Sequence, residues 1–188
     1  MKTKENKNMG RKSQVVTGKV RLSYVNIFNA RSFQEGQEAK YSLTILIDKK
    51  DKTTLNKIKK AIEEAKQKGK TEKWGGKIPS NLWIPLRDGD DERAEEAPEY
   101  EGMMFMNCKN SRKPGIVDEN CNEILDATEV YSGCYGRVGL DFFAFNSNGN
   151  KGIGVSLNTV QKLEDGECLG GAMADAESDF GDDDDMLD

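Results

Sequence analysis

The chain has 188 residues, 36% of them hydrophobic, and a formal net charge of −5 at pH 7, which is typical of one domain with appended segments. It contains no histidine, which excludes Ser-His and Cys-His nucleophile pairs and imidazole metal ligands. The polar N-terminus MKTKENKNMGRK lacks the apolar core of a signal peptide, and no apolar run is long enough to cross a membrane. The four cysteines form no C-x-x-C pair, which argues against a zinc site or a redox dithiol. We therefore expect a cytoplasmic protein with reduced thiols, no metal site and no cofactor.

The charge is distributed unevenly along the chain. Residues 1–163 carry 28 basic and 22 acidic side chains, whereas residues 164–188 carry eleven acidic and no basic ones. A second acidic segment, residues 88–101, holds eight acidic side chains and only Arg93 as a base. A basic body with an acidic end is typical of a polyanion binder that carries a mimic of its own ligand. The alternative is that both acidic segments are solvated and serve only solubility.

Alternating side chains predict the first two strands, over residues 15–29 and 40–47. In the first strand one set of residues is predicted to face the core, namely Val16, Val20, Leu22 and Tyr24. The opposite set faces outward and includes Lys19 and Arg21, and the loop between the strands carries Arg31 and Phe33.

A helix is predicted next, with Asp51 as its N-cap and Gly69 as its stop. A turn-rich region follows it, and the acidic segment 88–101 is predicted to be a mobile loop because it is too polar to pack. Residues 103–109 form the third predicted strand, with Phe105 and Lys109 facing outward. A basic loop with Arg112 and Lys113 comes after it.

The stretch YSGCYGRVGLDFFAF, residues 131–145, is the fourth predicted strand. One side is apolar and suits the core: Cys134, Val138, Leu140, Phe142 and Ala144. The other side combines aromatic and charged residues: Tyr131, Tyr135, Arg137, Asp141, Phe143 and Phe145. Glycines within this strand suit the bulges of a closed barrel, and a fifth strand follows at 153–157.

These elements predict a mainly β protein, an OB-fold-like five-stranded barrel with an inserted α-helix. The predicted barrel domain spans residues 15–163, between a flexible basic N-terminus, 1–14, and a disordered acidic tail, 164–188.

Outward aromatic and basic side chains are the combination that binds single-stranded DNA, because every base has a π-face that can stack while cations hold the backbone. The candidate residues are Lys19, Arg21, Arg31, Phe33, Phe105, Lys109, Arg112, Lys113, Tyr131, Tyr135, Arg137 and Phe143. The alternative for Tyr131, Phe143 and Phe145 is packing under the helix or against a second copy, and we expect a homodimer.

Four stretches carry a resemblance to a known family: QEGQEAKYSLTILIDKKD, NSRKPGIVD, YSGCYGRVGLDFFAF and NKGIGVSLNTVQKLEDGECLGG. Over residues 15–171 the chain resembles bacteriophage and prophage single-stranded DNA-binding proteins with an OB-fold. The resemblance implies a non-enzymatic protein that coats single-stranded DNA during phage replication and recombination.

The resemblance also implies that the acidic tail contacts replication and recombination proteins. Such tails often end in an apolar residue such as phenylalanine, whereas this one ends DFGDDDDMLD. The candidate partner-binding residues are Phe180, Asp182, Asp183, Asp184, Asp185, Met186 and Leu187.

Three other functions stay open from the residues alone. A metal-dependent nuclease would need clustered carboxylates on rigid elements, whereas the acids here lie mainly in two segments predicted to be flexible. An acidic DNA mimic or scaffold protein would use those segments as its active surface. Double-stranded DNA or RNA could occupy the same basic body.

Overall fold

The computed structural model describes residues 10–169. Within that range the strands are β1 Val15–Val16, β2 Val20–Arg31, β3 Lys40–Asp48, β4 Arg87–Asp88, β5 Met103–Asn110, β6 Gly115–Val117, β7 Tyr135–Ser147 and β8 Asn150–Glu164. The helices are α1 Lys52–Glu72 and the short α2 Gly89–Glu92, and single 3₁₀ turns lie at Pro98–Tyr100 and Ala127–Glu129. No helix in this part of the chain is long and apolar enough to cross a membrane.

The five long strands close into a barrel. β2 pairs with β3, β3 with β5, and β7 with β8 in antiparallel fashion, while β5 runs parallel to β8. The pairing of β2 with β7 closes the circle. The short strands β1, β4 and β6 add to β7, β5 and β8 respectively. The predicted OB-fold-like five-stranded barrel is confirmed, and its strand order is now defined.

Each long strand contributes fully buried side chains to the barrel core: Leu22, Ile45, Met106, Leu140 and Leu157. Helix α1 packs against this core through Ile58, Ile62 and Ala65. Asp51 caps the helix as predicted, because its carboxylate accepts a hydrogen bond from the Thr54 amide at 3.1 Å. Gly69 does not end the helix: it is buried against Ala144, where a Cβ atom would clash.

A bulge in β2 changes which side chains face outward. Pairing with β3 shifts register between Ser23 and Asn26, and Tyr24 has a φ of +46°. As a result Ser23 is buried, while Tyr24 is 55% exposed. The predicted inward position of Tyr24 is therefore wrong, because a bulge inserts a residue and re-aims the side chains that follow it.

The acidic segment 88–101 packs against β5, whereas its composition predicted a segment too polar to pack. Tyr100 is only 1% exposed, and its ring meets the Phe105 ring edge-on with centroids 5.1 Å apart. Lys49 forms ion pairs with Asp88 at 2.7 Å and with Asp90 at 2.6 Å. The Tyr100 ring of the segment and Lys49 of the barrel thus hold this otherwise polar segment on the surface of β5.

The barrel domain extends beyond its predicted C-terminal boundary. Strand β8 continues to Glu164, and the Leu169 amide donates a hydrogen bond to the Ser132 carbonyl at 2.8 Å. The predicted tail residues Phe180, Asp182, Asp183, Asp184, Asp185, Met186 and Leu187 lie outside the described residues, as does most of the predicted N-terminal segment.

Candidate nucleic-acid interface

A single row of residues crosses the outer surface of the barrel from β7 to β4. In register, this row is Tyr135, Arg21, Leu46, Phe105 and Arg87. The strands place all five on the same side of the sheet, as the sequence pattern predicted for Arg21, Phe105 and Tyr135. The two ends of the row nevertheless have different surroundings.

At the β7 end, cations flank an aromatic ring. Lys19 Nζ lies 5.7 Å and Arg21 Cζ 5.5 Å from the centroid of the Tyr135 ring, which is partly exposed. Arg137 follows two residues along β7 and is exposed. The structure therefore brings together four of the predicted residues in an arrangement suited to a stacked base and its phosphates.

Backbone carbonyls hold two of these arginines in place. Arg21 donates from Nε to the Gly133 carbonyl at 3.2 Å and from Nη2 to the Glu167 carbonyl at 2.9 Å. Arg137 Nε donates to the Thr17 carbonyl at 2.9 Å. Carbonyl partners orient the guanidinium groups without cancelling their charge, so both retain attraction for an anion.

Three more aromatic rings, each beside a cation, follow along β2 and the β2–β3 loop. Arg93 lies 6.0 Å from the Tyr24 ring centroid and donates to the Tyr24 hydroxyl at 3.0 Å. Lys113 lies 5.5 Å from the Phe28 ring, and Arg31 lies 5.8 Å from the ring of Phe33, which is 66% exposed. With Tyr135 they form what we call the β2 track, defined by the rings of Tyr135, Tyr24, Phe28 and Phe33.

Sequence reasoning missed Tyr24, Phe28 and Arg93. Tyr24 was assigned to the core because the alternation before the bulge places it there. Phe28 lies beyond the bulge, where the same pattern no longer applies. Arg93 is the only base of the acidic segment, and its position depends on how that segment packs. The positive φ of Tyr24 has no signal in the sequence.

A cleft of about 280 Å³ collects the cations of the β5–β6 loop. Its lining has cationic, hydroxyl and amide side chains and no carboxylate: Arg11, Ser13, Asn110, Arg112, Lys113, Asn158 and Thr159. Arg11 also pairs with Asp141 and lowers the pKa of that carboxyl by hydrogen bonding. Arg112 and Lys113 were predicted, whereas Arg11 was not. Lys109 is exposed on β5 and pairs in register with Ser156 of β8.

Three predicted stacking residues have other surroundings. Phe105 is 2% exposed beneath Tyr100 and cannot receive a base, which corrects its assignment. Tyr131 is partly buried, and its hydroxyl donates to Asp165 Oδ1 at 3.0 Å. Phe143 is exposed but lies eight residues from Tyr135 along β7, about 26 Å at roughly 3.3 Å per strand residue. The structure does not bring it to the β2 track.

The acidic segment gives the β5 side of the outer surface a negative charge. Hydrogen bonds to Asp88 and Asp90 raise the pKa of Lys49 to about 12, and the same bonds lower the pKa of both carboxyl groups. Most acidic side chains of residues 88–101 are exposed. A polyanion is therefore attracted to the β7 and β2 side and repelled from the carboxylates of this segment, whose one base, Arg93, contacts Tyr24 of β2.

The family model described as "Enterobacter phage Enc34, ssDNA-binding protein" matches residues 13–188. The chain belongs to this family. Its members are single-stranded DNA-binding proteins rather than enzymes, so the prediction that the chain is not an enzyme is confirmed.

Solved structures agree with the family assignment. The single-stranded DNA-binding protein of bacteriophage Enc34, determined in complex with single-stranded DNA, is 28% identical, with a TM-score of 0.70 over 82% of this chain and 88% of that chain. Protein gp2.5 of bacteriophage T7, also a single-stranded DNA-binding protein, shares the fold at 14% identity, with a TM-score of 0.59 over 86% and 97% of the two chains.

The chain is also similar to "Putative protein p50" of Acyrthosiphon pisum secondary endosymbiont phage 1. It is 29% identical over 169 residues, which cover 84% of this chain and 88% of the relative.

Proposed function

We propose that the chain binds single-stranded DNA, without sequence preference, along the β2 track. The observation that carries this proposal is the Tyr135 ring close to both Lys19 and Arg21, followed along β2 by three further rings that each lie beside a cation. Rings offer stacking surfaces to any base, and neighbouring cations neutralise phosphates. Both stacking and phosphate neutralisation act on any base, which supports tolerance of sequence.

The cations beyond the rings complete the proposed path. Arg137 extends it along β7, and Lys109, Arg112 and Lys113 extend it toward the β5–β6 cleft. Arg31 at the end of β2 and Phe33 in the β2–β3 loop contact the DNA strand, and OB-folds use this loop position for oligonucleotides. The Enc34 relative, with single-stranded DNA bound in its solved structure, supports the ligand class.

We further propose that this protein coats single-stranded DNA in the host cytoplasm during phage replication and recombination, and that its acidic tail modulates the binding. Support for the tail comes from where the described chain ends: the Glu167 carbonyl accepts from Arg21, and Leu169 packs beside Tyr100 and Phe105. Eight acidic side chains follow within residues 172–188. A tethered anion at that position competes at high effective concentration for the same cations.

The proposed partner contacts of the tail involve its apolar residues among the acids, Phe180, Met186 and Leu187, which would recruit replication and recombination proteins. Removing residues 172–188 changes the net charge from −5 to +3. The truncated chain should bind single-stranded DNA more tightly, most clearly at low salt, where screening is weakest. It should also lose pull-down of the replication partners.

The experiment that tests the ligand class is an electrophoretic mobility shift with equal lengths of single-stranded DNA, duplex DNA and RNA, with and without magnesium. We expect the tightest complex with single-stranded DNA and no cleavage. A preference for duplex or RNA would favour the general nucleic-acid binder. Absence of any shift, both before and after truncation, would favour the DNA mimic or scaffold. The expected homodimer stays a prediction, which sedimentation equilibrium would check.

A further inference from the structure

A second aromatic surface lies at the far end of the β7–β8 hairpin, away from the β2 track. It consists of Trp83, Phe143 and Phe145, which we call the hairpin platform. Trp83 is 47% and Phe143 48% exposed, and the Trp83 and Phe145 ring centroids are 6.5 Å apart. Large exposed aromatic side chains that lie together on a surface are typical of binding sites.

Backbone hydrogen bonds hold the hairpin platform rigidly. The Trp83 amide donates to the Lys151 carbonyl, and the Ile153 amide donates to the Trp83 carbonyl, each at 3.0 Å. These two bonds attach the Trp83 segment to β8 as a short parallel bridge at Gly152. On the opposite side of the strand, the Trp74 indole donates to the Phe145 carbonyl at 3.1 Å.

Glycines let the two phenylalanine rings lie against β8. A Cβ atom on Gly152 would approach Phe145 Cζ and Trp83 Cβ to 2.8 Å, and one on Gly154 would overlap the Phe143 ring. One face of each phenylalanine ring therefore covers the backbone of β8. The rest of the Phe143 ring is open to solvent, because this side chain is 48% exposed. The open ring area is preformed, so a ligand would not have to order it.

The charge around the hairpin platform is positive. The segments that surround it, residues 70–84 and 146–154, contain four lysines and one carboxylate: Lys70, Lys73, Lys77, Lys151 and Glu72. Lys73 and Lys151 lie at the same end of the hairpin, since the Lys73 carbonyl accepts from Asn146 and Lys151 pairs in register with Asn146. Strand alternation directs Lys151 to the face opposite Phe143 and Phe145, so its charge lies behind the rings. Asp141, two residues before Phe143, is already paired with Arg11. Open rings next to lysine-rich segments suit single-stranded nucleic acid.

We propose that the hairpin platform is a second contact for single-stranded DNA, with bases stacked on Trp83 and Phe143 and phosphates beside the lysines. This inference rests on the proposed function of the β2 track. Phe143 lies about 26 Å from Tyr135, at roughly 3.3 Å per residue along β7. Only a strand longer than the β2 track can therefore occupy both surfaces, and the hairpin platform extends the length of DNA that one molecule covers.

The test compares two oligonucleotide lengths with the full chain. Oligo-dT of about 5 nucleotides lies near the lower limit of OB-fold sites, and about 30 nucleotides lies well above their usual range of roughly 4–16. The double variant Trp83→Leu and Phe143→Leu keeps apolar cover over the glycines but removes the stacking rings. Leu125→Ala, at a leucine that is 79% exposed elsewhere on the surface, is the matched control.

We expect the double variant to bind the long oligonucleotide about tenfold more weakly or worse, from the range for loss of base–aromatic stacking, and the short one as the parent does. Leu125→Ala should match the parent at both lengths. If a folded double variant binds the long oligonucleotide as the parent does, the hairpin platform does not contact DNA. If binding weakens equally at both lengths, the platform is not a contact separate from the β2 track. Failure of the parent to bind either length would instead refute the proposed function itself.

Discussion

Tyr135 and Phe105 belong to the same row of residues across the barrel surface, yet only Tyr135 is available to a ligand. Both point away from the core, and both were predicted to stack on bases. Tyr135 is partly exposed and close to two cations, whereas Phe105 lies under Tyr100 of the acidic segment. The direction of a side chain on a strand is therefore not enough to make it a binding residue, because the packing of the preceding segment decides whether it is covered.

The same comparison explains the charge of the outer surface. On the β7 and β2 side, backbone carbonyls orient the guanidinium groups of Arg21 and Arg137. On the β5 side, Lys49 holds the negatively charged segment through ion pairs. The first side therefore attracts a polyanion, and the carboxylates of the second side repel it. The predictions below test the division.

The largest expected effect is on stability, at Phe105. Truncating a buried phenylalanine removes its packing with Tyr100 and Leu46 and leaves a cavity, so Phe105→Ala should lower the free energy of unfolding by about 3–5 kcal/mol. Urea unfolding measures this change. At low temperature, where the variant is folded, its affinity for single-stranded DNA should equal that of the parent. A large loss of affinity with unchanged stability would show instead that Phe105 contributes to DNA binding.

Tyr135→Ala should show the opposite pattern. Loss of a stacking ring costs on the order of 1–3 kcal/mol of binding free energy, and a partly exposed side chain contributes less to folding than a buried one. Fluorescence anisotropy with labelled oligo-dT measures the affinity, and Tyr135→Phe, which keeps the ring, should bind as the parent does. If Tyr135→Ala binds normally, the ring serves packing alone.

A smaller effect is expected for a single phosphate contact. Replacing Arg137 by alanine should reduce the slope of log affinity against log salt by about 0.7, the value for one neutralised phosphate on a single strand. Lys59→Ala, at an exposed lysine of helix α1, is the control and should leave the slope unchanged. Equal slopes for the parent and Arg137→Ala would remove Arg137 from the path.

The smallest effect concerns the attachment of the acidic segment. Lys49 lowers the pKa of Asp88 and Asp90 in the folded chain, so their ion pairs contribute stability above the ordinary carboxyl pKa of about 3.9 and lose it as the pH falls below that value. Thermal unfolding between neutral pH and about pH 3 should therefore show a smaller drop in Tm for Lys49→Met than for the parent. Parallel curves for the two proteins would show that these pairs do not hold the segment.

Much of the fold was predictable because alternation and helix periodicity report directly on which side chains meet the core. The inward set of β7, the capped helix and the barrel followed from such patterns. The errors came from features that local patterns do not encode. A bulge at Tyr24 reversed the alternation of β2, and Tyr100 together with the ion pairs of Lys49 packs a segment whose composition predicted that it would not pack.

The candidate site was predicted in part for the same reason. Arg21, Tyr135 and Arg137 lie on strands β2 and β7, and Lys19 immediately precedes β2. Alternation with the neighbouring core residues predicts that all four face outward, and the structure brings them together. Tyr24 and Phe28 became accessible only through the bulge. Phe143 has the right chemistry and direction, but the length of β7 separates it from the other rings.

Ultraviolet cross-linking of single-stranded DNA to the full chain, followed by mass spectrometry of the linked peptides, tests the central claim most directly. Because aromatic side chains that stack on bases lie against them, the account predicts cross-links at Tyr135 and Tyr24 and none at Tyr100 or Phe105. Cross-links concentrated in the peptides that contain Tyr100 and Phe105 would contradict it.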